Sequence, residues 1–313
     1  MVSVAVVFSA GGHLGTPWHA GVAAGLAEHT GWEANQADVI VGTSAGAFTA
    51  TALRTGISAA DNEARHLGRP LSDHGQQILD RIVTPYDEPV ADRSLVPSAP
   101  RMALNAVLPP WKADPVRLAY AMLPDGTRSG AAFAARTDEM LPNGWPDKPT
   151  WLVAVRTNDG KRIVFGRDDV RGTPGQATQA SSAVPAVYAP VHIGSRTYVD
   201  GAVHSATNAD LVAPLGLDLV IISSLMTSTE TSWRSDPTRA WFANKLAGEV
   251  AAIRNNGTPV VVVEPDADQL DQLARKDPAE ACHAGRSSIE RVLASTDGDK
   301  LQARLAPAVL DFA

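Results

Sequence analysis

An α/β fold, with a mainly parallel central sheet and helices on both faces, is predicted by three observations. Short apolar runs at Val4–Phe8, Asp38–Val41, Leu219–Ser223 and Pro259–Glu264 alternate with helix-forming stretches, the pattern that builds parallel sheets. The runs are short and largely β-branched, as expected of strands covered on both faces. With 313 residues, 44% of them hydrophobic and 19% charged, the chain can bury a sizeable core without disulfides or metals. In such a sheet the active loops lie at the carboxyl ends of the strands.

The first strand, Val4–Phe8, runs into the loop Ser9-Ala10-Gly11-Gly12-His13-Leu14-Gly15, and Thr16-Pro17 reads as an N-cap with proline at the first helical position. Gly11 and Gly12 let consecutive N–H groups turn toward one point beside a positive helix end, which suits a developing oxyanion. A phosphate-binding or merely tight turn is the alternative. The dinucleotide fingerprint is poorly met, since Ala10 stands at its first glycine and no acidic residue closes a strand about twenty positions on.

The next strand meets Gly42-Thr43-Ser44-Ala45-Gly46, and Ala45–Leu53 reads as a helix closing at Gly56. This G-x-S-x-G has the order of a nucleophile elbow, with Ser44 on the turn and Gly42 and Gly46 leaving room for strand and helix to approach. A tight turn with a solvated serine is the other reading. Residues 90–149 differ in character. Nine prolines break them into short helices, while Met102, Leu104, Val107, Leu108, Trp111, Leu118, Tyr120, Met122 and Leu123 give apolar faces. They read as a helical cap inserted in a single domain spanning 1–313, its faces either an acyl-chain wall or plain core.

Farther on, Ala189–Ile193, the turn Gly194-Ser195 and Tyr198-Val199-Asp200 form a hairpin ending in Asp200-Gly201-Ala202, where an aspartate is either a turn former or a functional acid. Asp236-Pro237 opens a helix that runs to Arg254, with Gly257 beyond its end.

The glycine loop, the G-x-S-x-G after it and the downstream Asp-Gly-Ala together resemble the patatin-like phospholipase family, whose members form a three-layer α/β sandwich and use a serine-aspartate dyad. Trp151–Arg156, the turn Thr157–Gly160 and Arg162–Phe165 resemble that family's central hairpin, Ala180–Pro185 its small-residue segment, and Asn208 its usual asparagine. The resemblance covers roughly residues 1–60 and 150–265. It implies Ser44 as nucleophile, Asp200 as base, Gly11 and Gly12 as oxyanion hole, and a lipid acyl hydrolase of phospholipase A or esterase type. The same acyl-enzyme would serve an acyltransferase, and a catalytically silent lipid-binding protein is the reading from another class. Two departures stand out: Ala10 replaces a loop glycine, and Leu14 stands where many members carry arginine. Leu14 in place of arginine, the net negative charge and the apolar candidate cap together lead to the expectation that medium-chain neutral esters serve at least as well as anionic phospholipids.

Aspartate is a weak base at its ordinary pKa of about 3.9, so a direct dyad requires burial to raise it. A triad through His283 is compatible with the chain order Ser44, Asp200, His283. His204 and His13 are expected to line or shape the cleft. His19, His29, His66, His74 and His192 have no paired spacing, and no metal or cofactor is implied. The formal charge of −7 disfavours a nucleic-acid partner and long-range attraction to anionic membranes, leaving transient, apolar membrane or micelle contact. Cys282 is the single cysteine, so no internal disulfide forms, and it is expected to be structural. Val4–Phe8 is too short to span a bilayer and lacks a basic leader, so no signal peptide and a cytoplasmic location are expected.

Overall fold

Among the described residues, the apolar runs assemble into an eight-stranded sheet. The computed structural model describes residues 2–86, 97, 99–107, 115–231 and 234–310. The strands are β1 (Val4–Phe8), β2 (Val39–Thr43), β3 (Thr150–Arg156), β4 (Arg162–Phe165), β5 (Val191–Ile193), β6 (Arg196–Asp200), β7 (Leu219–Ser223) and β8 (Val260–Val263). They lie in the order β5-β6-β3-β2-β1-β7-β8, with β4 also paired to β3. The run from β3 to β8 is parallel, whereas β4, β5 and β6 add antiparallel pairings beyond β3. The fold class is thus the α/β arrangement that the apolar runs predict.

The helices are α1 (Gly12–Thr30), α2 (Ala45–Arg54), α3 (Ala59–His66), α4 (Asp73–Leu79), α5 (Pro100–Val107), α6 (Pro115–Met122), α7 (Ala131–Met140), α8 (Pro174–Ser181), α9 (Pro237–Asn255), α10 (Ala267–Leu273), α11 (Pro278–Leu293) and α12 (Thr296–Leu310). Because side chains alternate along a strand, β1 splits between two cores. Val4, Val6 and Phe8 pack with Trp18, Val22 and Leu26 of α1 and Ile289 of α11, whereas Ala5 and Val7 pack with Leu246, Val250 and Ile253 of α9. Burial on both faces explains why β1 carries no polar position. At roughly 1.5–3 kcal/mol for each large aliphatic side chain removed from water, these layers hold the strand ends in place.

One helix start differs from expectation. The glycine loop curls directly into α1 at Gly12, so Thr16 and Pro17 lie inside the helix. Thr16 Oγ1 reaches the Ala45 carbonyl at 3.5 Å and does not cap its own helix. Pro17 falls early in α1, where its missing N–H costs one bond near an end that is already short of them. By contrast, α9 begins as the sequence predicts, with the Asp236 carboxylate accepting from the Arg239 amide at 2.9 Å and Pro237 in the first turn.

Within 90–149, Leu108 and Trp111 lie outside the described residues, as do the side chains of Leu104 and Val107. Ala99, Met102, Ala103 and Ala121 of the α5–α6 pair bury against Val155 of β3, Val199 of β6 and Val203, with Leu118 and Tyr120 packed on them. Met102, Leu118 and Tyr120 are thus core against the sheet, whereas Met122 is 54% exposed. No helix among the described residues is long and apolar enough to cross a membrane.

Candidate active site

Ser44 occupies the single residue between β2 and α2 with φ 54° and ψ −116°, a left-handed conformation that is strained for any side chain. Three features hold it there. The Ser44 amide donates to Ser181 Oγ at 2.9 Å, and the Gly46 amide donates to the Ser9 carbonyl at 3.1 Å. A Cβ on Gly46 would collide with the Phe8 carbonyl, and one on Gly42 would sit 2.6 Å from the Gly46 oxygen. Only glycine lets β1, β2 and α2 approach this closely, which is the physical content of the G-x-S-x-G pattern.

Asp200 ends β6, where its amide donates to the Ala183 carbonyl at 3.0 Å and Ala154 of β3 is its register partner. Its side chain is only 2% exposed in the residue total. Oδ1 accepts from the Ala202 amide at 2.7 Å, while Oδ2 is buried without a hydrogen bond. Burial pushes the carboxyl up to about 7, opposed by the Ala202 amide and by the Ser44 hydroxyl nearby. Ser44 and Asp200 are therefore neighbours.

The glycine loop stands against the elbow, since a Cβ on Gly15 would approach that of Ala45 to 2.5 Å. Gly12 lines one cavity of about 460 Å³ together with Ser44 and His13. The Gly11 and Gly12 amides sit at the start of α1, ahead of its first intrahelical bonds, so they are available to an anion. Ala10, the first departure from the loop pattern, is buried beside Ala206 and Phe242, and its amide donates to the Ala206 carbonyl at 2.8 Å. Its methyl thus fills core space away from the cavity. Gly12 has φ +57° and open space where a Cβ would go. Gly12→Ala is therefore expected to strain the loop backbone by about 1–2 kcal/mol and lower turnover by about a hundredfold, through displacement of the amide. Gly216→Ala is the control, since Gly216 has φ +61° and equally open space away from the cavity. Its turnover should match the parent while its loss of thermal stability matches that of Gly12→Ala.

The opposite wall is aromatic and apolar. Phe48 of α2, Phe133 and Met140 of α7, Val184 and Tyr188 line it, with the Phe133 ring 4.9 Å from Phe48 and 5.3 Å from Tyr188. Residues 90–149 thus contribute to the wall through α7, whereas Leu118 and Tyr120 face the core.

Sequence reasoning did not assign Ser181, whose hydroxyl orients the nucleophile's amide, nor a precise role for Asn208. Asn208 Nδ2 donates to Thr43 Oγ1 at 3.1 Å and to the Ser205 carbonyl at 2.6 Å, bracing the residue before Ser44. Arg65, His66 and Arg136 also line the cavity, and no local motif marks them. His13 lines the cavity as expected. His204 instead accepts at Nδ1 from the Arg117 guanidinium at 3.1 Å, and burial together with the nearby arginines lowers its pKa to about 4. His283 is exposed on α11 and does not line the cavity, so it is not brought to Ser44 and Asp200. Cys282 is buried, and that burial pushes its thiol up to about 12, which makes it inert.

The family model described as patatin-like phospholipase matches residues 6–213. Among solved structures, VipD from Legionella pneumophila is 13% identical with a TM-score of 0.40, over 96% of this chain and 70% of that one. The type III effector protein ExoU is 15% identical with a TM-score of 0.34, over 99% of this chain and 62% of that one.

Proposed function

The chain belongs to the patatin-like phospholipase family, and on that premise we propose that it hydrolyses carboxylic esters of lipids through a Ser44 acyl-enzyme with Asp200 as base. The observation that carries this reading is the meeting of a strained serine with a buried carboxyl whose pKa is about 7, beside an apolar cavity. A carboxylate of ordinary pKa is too weak a base for a serine hydroxyl at neutral pH, whereas this one is poised near the working pH.

In the proposed reaction, Ser44 Oγ attacks the ester carbonyl carbon as its proton passes to Asp200. The carbonyl oxygen becomes an oxyanion held by the Gly11 and Gly12 amides, with the positive end of α1 behind them. Collapse of the tetrahedral intermediate expels the alcohol, which takes the proton back from Asp200, and leaves the acyl group on Ser44. Water then attacks this acyl-enzyme carbonyl as one of its protons passes to Asp200, and collapse of the second tetrahedral intermediate breaks the bond to Ser44 Oγ, which takes that proton back from Asp200 as the carboxylic acid leaves. The wall of Phe48, Phe133, Val184 and Tyr188 would hold the acyl chain, and substrate would be drawn from micelles or membranes by apolar contact.

Rapid mixing with p-nitrophenyl octanoate tests this reading. The expected result is a burst of nitrophenolate close to one equivalent per chain, followed by slower turnover to free octanoate. Added glycerol should divert little of the product into ester. Release without a burst would remove the acyl-enzyme. Glyceride as the main product would make the protein an acyltransferase.

A further inference from the structure

The cavity beside Ser44 contains positive charge that the ester chemistry does not use. Arg65 and His66 close α3 and Arg136 lies on α7, and all three line the cavity together with Ser44, Phe133 and Tyr188. Among the described residues, no carboxylate forms a salt bridge to Arg65. Burial, and then the like charge of Arg136, hold the Arg65 guanidinium below its ordinary pKa. Arg136 donates from Nη1 to the Thr84 carbonyl at 2.7 Å and lies 5.9 Å from the Tyr86 ring centroid. The acid near it, Glu139, is engaged elsewhere, accepting from Thr84 Oγ1 at 2.6 Å and from the Val83 and Thr84 amides. His66 Nε2 is buried without a partner, and burial followed by the Arg65 charge lowers its pKa to about 4, so the ring is neutral.

Two like charges lining one cavity, with Arg65 desolvated by burial, repel each other, and an anion between them would relieve that repulsion. A carboxylate or phosphate suits this pair, because guanidinium groups bind both through paired N–H donors. We propose that Arg65 and Arg136 bind an oxyanionic group carried by the ester substrate, which makes the Ser44 cavity selective for anionic esters. The proposal rests on the ester-hydrolase reading of Ser44 and sharpens it. It also reverses the preference for neutral esters expected from the sequence: the Leu14 side chain, in the first turn of α1, is buried in the core, and positive charge reaches the cavity from α3 and α7 instead.

Two matched pairs distinguish the source of the anion. Mono-p-nitrophenyl suberate against p-nitrophenyl octanoate places a carboxylate at the far end of the acyl chain. Dioctanoyl phosphatidylglycerol against dioctanoylglycerol places a phosphate on the head group. In at least one pair the anionic member should have a kcat/KM about tenfold higher, and the pair identifies the source. That ratio should fall about tenfold in Arg65→Gln and in Arg136→Gln, be partly retained in Arg65→Lys, and shrink as salt is raised. Calorimetric binding of octanedioate and octyl phosphate reads the same site without turnover, on the parent protein as well as on the variants. If no ester is cleaved but one of these anions binds, and binds about tenfold more weakly to Arg65→Gln, the hydrolase reading fails and the anion site stands. Binding of neither anion by the parent, or anionic-to-neutral ratios unchanged in both glutamine variants, overturns the proposal.

Discussion

Ser44→Ala is expected to lower ester hydrolysis by about 10⁴-fold or more, since loss of an attacking serine removes the covalent route and leaves only binding and the oxyanion loop. Folding should persist, for reasons visible around the turn. The Ser44 amide bond to Ser181 Oγ belongs to the backbone, and the tight passage past Gly42 and Gly46 does not involve the Ser44 side chain. The hydroxyl does, however, lower the Asp200 pKa, so its removal should raise that pKa further. The checks are turnover of p-nitrophenyl octanoate and thermal unfolding of parent and variant side by side. Residual turnover within tenfold of the parent would mean that another group attacks.

Asp200→Asn carries two opposite effects. Activity should fall by several orders of magnitude, because asparagine cannot take the serine proton. Stability should move the other way as pH rises. The folded Asp200 pKa of about 7 lies above the unfolded value, so the native state holds a proton that the unfolded chain has released. Its contribution to stability is full below about pH 4 and is lost as pH rises through about 7. Asparagine does not titrate and has no such loss. The melting temperature of Asp200→Asn minus that of the parent should therefore be more positive at pH 8.5 than at pH 5, by several degrees. That corresponds to about 1–3 kcal/mol. A gap independent of pH would show that the carboxyl titrates at an ordinary value.

Much of this fold is legible in the sequence because its strands are nearly uniform apolar runs and several helices carry their own caps. β1 and β7 have the boundaries that their β-branched runs predict, and Asp236-Pro237 marks the start of α9. The elbow is legible for a similar reason: Gly42 and Gly46 are required by contacts made within a few residues of Ser44 or with the neighbouring strand. The start of α1 was obscured because Thr16-Pro17 has cap chemistry while the permissive Gly11-Gly12 backbone had already begun the helix. Asp200 alone reads locally as a turn former. What raises its pKa is the burial it acquires where β6 meets β3 and the Ala183 carbonyl, a property of tertiary structure. Arg65 and Arg136 come from helices far apart in the chain, and only the tertiary fold brings them to the same cavity.

The activation of Ser44 by a buried Asp200 is tested most directly by the pH dependence of covalent inactivation with a fluorophosphonate, with the adduct located by tandem mass spectrometry. The predicted result is about one adduct per chain, on Ser44, forming at a rate that rises with pH through about 7 as Asp200 ionises. In Asp200→Asn that rise should vanish and the rate should be far lower at every pH. An adduct on another residue, or a Ser44 rate that keeps its pH profile after Asp200 is replaced, would contradict the dyad.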